Sequence, residues 1–482
     1  SKFKIWILKK EKMKRYLLLI STLIIASCAS DEAYENLNKD PNKPTNISAE
    51  ALFTSSTKSL FDQMESTNVN TNVFRLFAQY WTETTYIDEA NYDLVTRNIT
   101  GSHFSELYRD VLYDLKDAKG KVTSDTKKGM IEVLEVYTWQ QLVDTFGNIP
   151  YSEALSGSTN PTPAYDDAKT IYIDLFDRIN LAITKLNSND DAFTSADIIY
   201  GGNIVKWKKF ANSLKLKLAM RVADVPSMAT QSKAEAEAAI AAGVFTSNND
   251  NATLTYESST PNTNPIWLDL VQSGRSDFVA ANTIIDYMNT LNDPRRESFF
   301  DDNLGTNIYT GGTYGASSPF SNYTHIGETL HDPTFRGVLM DLSEVEFLLA
   351  EAKERNYTAS GTAESHYNAA ITASMEDWGV NSTSITTYLA NPNVAYSSSG
   401  TWRAKIGLQF WIAMYNRGFE GWSVYRKYDA PLLNIAAGSG LPVPTRYTYP
   451  VSEQTLNGVN YQSASSSIGG DLLTTKLFWD IN

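Results

Sequence analysis

At positions 144–154 the chain reads Asp144-Thr145-Phe146-Gly147-Asn148-Ile149-Pro150-Tyr151-Ser152-Glu153-Ala154. Upstream of this stretch, an apolar stripe repeats at helical spacing through Met130, Val133, Leu134 and Tyr137. Gly147 can end a helix, because glycine adopts backbone conformations that other residues avoid. The stretch therefore predicts a helix over 128–146 that stops before Gly147.

Other segments show the same helical period. One stripe runs through Tyr172, Leu175, Phe176, Ile179, Ile183 and Leu186, and another through Trp207, Phe210, Ala211, Leu214, Leu218 and Val222. Segments 128–146 and 167–187 could pair, and so could a helix capped by Ser343 and Glu346 with the helix that stops at Gly379. Short turns between such helices predict a mainly all-α fold built of tetratricopeptide-like helix pairs.

The remaining stretches differ in composition. Segments 246–275, 301–334, 379–400 and 434–470 are rich in Asn, Ser, Thr, Gly and Pro, yet they carry many aromatic residues. Disordered chains are poor in aromatics, so we expect ordered irregular loops with a few short strands. Loops on a rigid scaffold often carry function, and we expect it around 246–334 and 379–400.

The N-terminal segment has the pattern of an export signal. After Met13, two basic residues precede an apolar stretch over 16–26, which is too short to span a bilayer. It ends in small residues before Cys28, the only cysteine, as in a lipoprotein signal. We expect upstream residues and signal over 1–27, a lipidated Cys28 with a flexible tether over 28–48, and one domain over 49–482. The alternative is an ordinary signal peptide with a chance cysteine.

Charge and cysteine content exclude several classes of protein. The chain carries 41 Lys and Arg against 55 Asp and Glu, a net charge of −14. Residues 1–27 hold seven basic side chains and one acidic one, so the rest is near −20. Such a field repels nucleic acid and favours a neutral ligand. One cysteine cannot form an internal disulfide, so the core must hold the fold.

Four fragments together carry a resemblance to a known family. Besides 144–154, they are 38–42 (Asn-Lys-Asp-Pro-Asn), 207–221, which begins Trp-Lys-Lys-Phe-Ala-Asn, and 446–450 (Arg-Tyr-Thr-Tyr-Pro) with Asn457. Their order over 34–482 resembles that of SusD/RagB-like proteins.

The resemblance implies helix pairs on one side and a loop-rich region on the other. It also implies a lipid-anchored outer-membrane protein at the cell surface, which binds poly- or oligosaccharide and partners a SusC-like TonB-dependent transporter. Asp31 and Glu32 resemble a surface-export signal of Bacteroidetes lipoproteins, although they could be a solvated linker.

Motifs for catalysis or metal binding are missing from the sequence. The four histidines, His103, His325, His331 and His366, show no metal-ligand spacing, and there is no nucleophile elbow or phosphate loop. We therefore predict no catalytic residue, no metal and no cofactor. Acidic residues are frequent, and a glycosidase needs only two of them at the right separation, so a secreted glycoside hydrolase remains an alternative.

A sugar site needs exposed aromatic rings for the apolar faces of the ring and planar polar groups for its hydroxyls. The first candidate is the polar loop after a short helix, with Trp81 as the stacking ring and Tyr86, Asp88 and Asn91 as neighbours. The family resemblance also implies a ligand-facing aromatic there. The alternative is that Trp81 closes its helix as a core residue.

The second candidate lies in the irregular half of the chain. It combines Trp267 with Arg275 and Asp277, and adds Tyr309 and Tyr314. Trp267 could instead pack under its loop, and Arg275 and Asp277 could simply pair with each other.

These observations and the resemblance together predict a non-catalytic glycan-binding lipoprotein. The charge favours a neutral ligand, and the resemblance to the family suggests a β-glucan such as laminarin. The alternatives are the hydrolase and a peptide-binding lipoprotein on the same scaffold.

Overall fold

The computed structural model describes residues 47–482, so Cys28 and most of the expected tether lie outside the described residues. The helices of the first half are α1 (Ala49–Glu65), α2 (Phe74–Phe77), α3 (Ile99–Ser105), α4 (Tyr113–Lys121), α5 (Asp125–Phe146), α6 (Ala168–Leu186), α7 (Ile204–Arg221) and α8 (Ala229–Ala242). Those of the second half are α9 (Pro265–Trp267), α10 (Asn282–Leu291), α11 (Arg296–Phe299), α12 (Leu342–Glu354), α13 (Ala363–Asp377), α14 (Ser382–Leu389), α15 (Trp402–Ala413), α16 (Gly418–Tyr428), α17 (Val451–Leu456) and α18 (Gly458–Ser467).

The strands are short and pair two by two. They are β1 (Trp81–Glu83), β2 (Ile149–Pro150), β3 (Tyr165–Asp166), β4 (Ala252–Leu254), β5 (Phe278–Ala280) and β6 (Gly337–Met340). β1 pairs antiparallel with β5, β2 with β3, and β4 with β6. The all-α fold with few short strands is confirmed.

Helix α5 is buried along nearly its whole length and packs against α6. Its Ser124 cap accepts a hydrogen bond from the Lys127 amide, and the helix ends before Gly147 as predicted. At Gly129 a Cβ atom would come within 3.0 Å of the Ala182 carbonyl oxygen. Glycine at this position therefore permits the close crossing of the two helices.

Helices α12 and α13 form another predicted pair, and the Ser343 hydroxyl donates to the Ala370 carbonyl at 2.8 Å across it. The capping box predicted for Ser343 and Glu346 is wrong. Asp341 caps α12 by accepting from the Glu344 amide, while Glu346 contacts His366. Tertiary contacts with α13 occupy both of the side chains that the local pattern assigned to the cap.

The four loop-rich stretches are more helical than expected. Segment 379–400 contains α14, which Asn381 caps and which Ile385 and Tyr388 anchor in the core. Segment 434–470 contains α17 and α18, 246–275 contains α9, and 301–334 contains two short 3-10 helices, while α10 and α11 lie between these last two segments. Ser, Thr and Asn weaken the local helical signal, but burial of a few apolar side chains overrides that preference.

Within residues 47–482, no helix combines the length and apolar character that crossing a bilayer requires.

Candidate functional site

The Trp81 ring is buried, which contradicts its predicted role as a stacking surface. Its side chain is 1% exposed, and its indole N–H donates to the Tyr415 hydroxyl at 2.9 Å. Pairing of β1 with β5 places Trp81 opposite Ala280, inside the molecule. The alternative assigned to Trp81, a core residue, is the one that the structure supports.

Tyr309 and Tyr314 are also largely buried, at 7% and 1% exposure. The Tyr314 ring packs near Tyr92, and the Arg296 guanidinium lies 4.6 Å from the centre of the Tyr309 ring. The Tyr314 ring offers no free face to a sugar, so its predicted binding role is wrong, and it fills space beneath the irregular loops. Tyr309 lines a separate cleft with Glu297 and Asp301, so its ligand contact stays a prediction.

Asn91 ties three segments together and has no free polar atom for a ligand. Its amide nitrogen donates to the carbonyl oxygens of Ile87 and Gly315, at 2.7 and 2.9 Å, and its oxygen accepts from the Ser439 amide at 2.7 Å. The binding role predicted for Asn91 is therefore replaced by a structural one.

Trp267 and Asp88 lie outside the cleft that contains Tyr86. Trp267 ends the short helix α9 and is half-buried, and Asp88 is exposed on its loop. Neither lines the cleft described next, so their ligand contacts stay predictions.

Tyr86, Arg275 and Asp277, taken from the two separate candidate regions, do meet in one cleft of about 140 Å³. We call it the Tyr86 cleft. It is lined by Thr67, Asn68, Val69, Asn70, Glu83, Thr84, Tyr86, Glu89, Arg97, Asp269, Ser273, Arg275, Asp277 and Phe278. The Tyr86 side chain is 64% exposed, which makes it an available aromatic surface.

Thr84 connects the segments that form the cleft. Its amide donates to the Asp277 carbonyl at 2.9 Å, and its hydroxyl donates to the Ser276 carbonyl at 2.7 Å. Its own carbonyl accepts from the Ser318 amide and the Ser317 hydroxyl, at 3.0 and 2.9 Å. Extension of the β1–β5 pair by one residue thus brings the Tyr86 loop and the Arg275 loop together.

Arg275 and Asp277 form a two-pronged ion pair, with nitrogen–oxygen distances of 2.6 and 3.1 Å. The alternative that they pair with each other is correct. Their side chains remain 60% and 40% exposed, so unused donors and lone pairs face solvent. The pair raises the pKa of Arg275, first through the hydrogen bond to Asp277. Such a planar polar pair beside a free aromatic ring is suited to sugar hydroxyls.

Carboxyl groups form one wall of the cleft. Burial raises the pKa of Glu83 to about 9, and the hydrogen bond with Glu89 adds to the shift. Burial also raises the pKa of Asp269, although the Thr67 hydroxyl donates to its carboxylate at 2.7 Å. Glu89 pairs with Arg97. Because the cleft's two guanidinium groups already hold carboxylates, it offers no free cation to an anionic ligand.

Sequence reasoning missed the residues that line this wall: Thr67, Asn68, Asn70, Glu83, Glu89, Arg97 and Asp269. The polar run 67–70 between α1 and α2 was the available signal, since such a run between buried helices marks an exposed turn. Glu83 and Glu89 gave no signal, because their burial depends on strand pairing. Within residues 47–482, no three His, Cys, Asp or Glu side chains are close enough to hold a metal ion.

Comparison with known proteins agrees with this architecture. A family model described as "Starch-binding associating with outer membrane", SusD-like, matches residues 41–450. The chain belongs to the SusD-like family. The family assignment made from the four fragments is therefore confirmed.

Solved structures of SusD-like proteins have the same fold. A chitin-binding protein superimposes with a TM-score of 0.79 at 26% identity, covering 90% of this chain and 100% of its own. A chitin-binding SusD homolog from Flavobacterium johnsoniae gives 0.78 at 27% identity, with 89% and 99% coverage. A SusD homolog from Bacteroides uniformis gives 0.77 at 27% identity, with the same coverage. No match to the chain is found among curated protein sequences.

Proposed function

We propose that this SusD-like chain binds a neutral glycan in the Tyr86 cleft without cleaving it. The observation that carries the proposal is the exposed Tyr86 ring beside the Arg275–Asp277 pair. The ring can cover the apolar face of a sugar, and the pair can exchange hydrogen bonds with its hydroxyls. The family description and the two chitin-binding relatives support a glycan as the ligand.

The proposed ligand is neutral and β-linked. The chain outside residues 1–27 is near −20, and the two guanidinium groups in the cleft are already paired, so a uronic acid polymer would meet repulsion. Laminarin was the expectation from sequence, while the names of two similar structures favour chitin-type oligosaccharides. Both are neutral β-linked glycans, and both belong in the test.

Each carboxyl group at the base of the cleft already has a partner, which supports binding without hydrolysis. Glu83 accepts from the Ala90 amide at 2.9 Å, and Glu89 pairs with Arg97. A glycosidase instead needs one free carboxyl on each side of the scissile bond.

We further propose that Cys28 anchors the protein to the outer membrane, with the tether of 28–48 leading to the domain. The chain would then pass its glycan to a SusC-like TonB-dependent transporter. A binder without catalysis benefits the cell only if it delivers its ligand onward. Purification in mild detergent, with a tag on this chain, tests the partner. A barrel that co-purifies supports the delivery model, and recovery of this chain alone from cells making the transporter counts against it.

Affinity gels and calorimetry test the ligand. The panel holds laminarin, chitin oligosaccharides and starch, with alginate as the anionic control. Retarded migration in a neutral glycan, without release of reducing ends, is the expected result. Released reducing ends would establish the hydrolase. Binding of peptides alone, in a parallel titration, would establish the peptide-binding alternative.

A further inference from the structure

The loop that carries Tyr86 is closed at its base by an acidic pair. The Ala90 amide, at the end of the loop, donates to the Glu83 carboxyl at its start, over 2.9 Å. Glu83 and Glu89 are only 3% and 1% exposed. A buried hydrogen bond between the two ends of a short loop fixes the position of its tip, and Tyr86 lies at that tip.

Charge on both carboxyl groups would leave a buried oxygen without a hydrogen-bond donor. Glu89 directs one oxygen to Arg97, while its second oxygen is buried and has no donor among the other described residues. Glu83 is the neighbour that can supply one, because a protonated carboxyl donates a hydrogen bond. One proton between two buried carboxyl groups therefore satisfies an oxygen that would otherwise be left without a partner.

We propose that Glu83 and Glu89 are positioning residues that hold the Tyr86 loop closed through one shared proton, so that glycan binding weakens when alkaline solution removes it. We call Glu83, Glu89 and Arg97 the carboxyl clamp. This inference rests on the proposed function, since it assigns a control to the same cleft.

The surroundings of the clamp favour retention of the proton. Burial, the Glu89 hydrogen bond and the Asp88 charge raise the pKa of Glu83 to about 9, and the Ala90 amide opposes them. Groups on the neighbouring segments are Arg97 after the loop, Asp269, Arg275 and Asp277 across the cleft, and Tyr314 behind it. Arg97 already compensates Glu89, and Arg275 compensates Asp277. A second negative charge on Glu83 would therefore have no cation of its own.

The clamp predicts a specific pH dependence of binding. The fraction of molecules that keep the shared proton, and so can bind, should stay near one at pH 7 and fall to about a tenth at pH 10. The apparent Kd should therefore rise about tenfold. Glu83→Gln keeps a donor and an acceptor but cannot lose a proton. Its Kd should therefore stay flat from pH 7 to pH 10, while that of wild type rises. Glu376→Gln, an exposed glutamate on α13, is the matched control and should behave like wild type.

Calorimetric titration of the glycan found in the panel, from pH 7 to pH 10, gives the first test. Melting temperature gives a second one that needs no ligand. Because the pKa of folded Glu83 lies above that of the unfolded chain, its stabilising contribution is complete below about pH 4.5 and is lost as pH rises toward about 9. As pH rises across this range, the melting temperature of Glu83→Gln should therefore increase relative to that of wild type.

Parallel pH curves for wild type and Glu83→Gln, in binding and melting, would overturn the clamp while leaving the proposed function intact. If no glycan binds at any pH, the proposed function fails and the melting curves still decide the clamp. If Glu83→Gln does not fold, Glu89→Gln provides the same test, because it also removes the repulsion between two carboxylates.

Discussion

The indole N–H of Trp81 donates to the Tyr415 hydroxyl at 2.9 Å, joining strand β1 to the turn that follows helix α15. Both residues are almost completely buried. Trp81→Ala should therefore destabilise the fold by about 3–5 kcal/mol, the usual cost of removing a buried aromatic side chain. Chemical denaturation measures the loss. The glycan Kd of the folded fraction should stay close to wild type, and a large rise in Kd without loss of stability would restore the stacking role.

Tyr86→Ala should have the opposite profile. Loss of the exposed ring should weaken glycan binding by about 1–3 kcal/mol, if stacking on a sugar resembles stacking on a base. The melting temperature should change little, because the side chain is 64% exposed. Tyr113→Ala is the matched control, since that ring is 49% exposed but lies outside the Tyr86 cleft. Equal affinity of the two variants would remove Tyr86 from the site.

Arg275 and Asp277 should contribute to binding and little to folding. An exposed ion pair is worth roughly 0–1 kcal/mol, so Arg275→Ala should leave unfolding nearly unchanged. Binding should weaken, and Arg275→Lys should rescue it only in part, because an ammonium group lacks the planar fork. Calorimetry of the two variants and of Asp277→Asn provides the comparison. If Arg275→Ala bound the glycan with wild-type affinity, the groups that bind the sugar hydroxyls would lie elsewhere.

Asp224 provides a test of stability under acid. Its ion pairs with Arg355, Arg403 and Lys427 hold its pKa well below its usual range, against the effect of burial. A lowered pKa stabilises the folded state above the unfolded value, near pH 3.8, and this contribution declines as pH falls below it. Asp224→Asn should therefore lower the melting temperature more at pH 7 than at pH 3. An equal deficit at both values would contradict the ion-pair account.

Cys28→Ser should abolish lipid attachment, because the serine hydroxyl cannot take the place of the modified thiol. Metabolic labelling with a fatty acid reads this directly, and label retained by the variant would refute the lipoprotein signal. Protease treatment of intact cells separately tests the export role predicted for Asp31 and Glu32.

Helix pairing could be predicted from sequence because the apolar stripe of each helix and the residue that ends it lie close together in the chain. The stripe before Gly147 is enough to define α5 and its end. Exposure could not be predicted in this way. Trp81 and Tyr86 are five positions apart in one polar segment, yet the first is buried and the second free. What separates them is the pairing of β1 with a strand almost two hundred residues later, which no local pattern reports.

In the candidate site, too, some residues could be predicted from sequence and others could not. Arg275 and Asp277 were identifiable because planar polar groups near aromatics are the expected chemistry of sugar binding. Their neighbour in space, Tyr86, belongs by sequence to the other candidate region. Glu83 and Glu89 were not identifiable, since an acidic residue in a loop normally points to solvent. In the folded chain both side chains are nevertheless buried.

Thr84 uses its amide, its carbonyl and its hydroxyl to join three segments before any ligand arrives. A wall assembled in advance loses little conformational entropy when it is occupied. The flexibility of the glycan should then become the main entropic cost of association. Stiff oligosaccharides with restricted glycosidic torsions should consequently bind more tightly than flexible ones of equal length and composition.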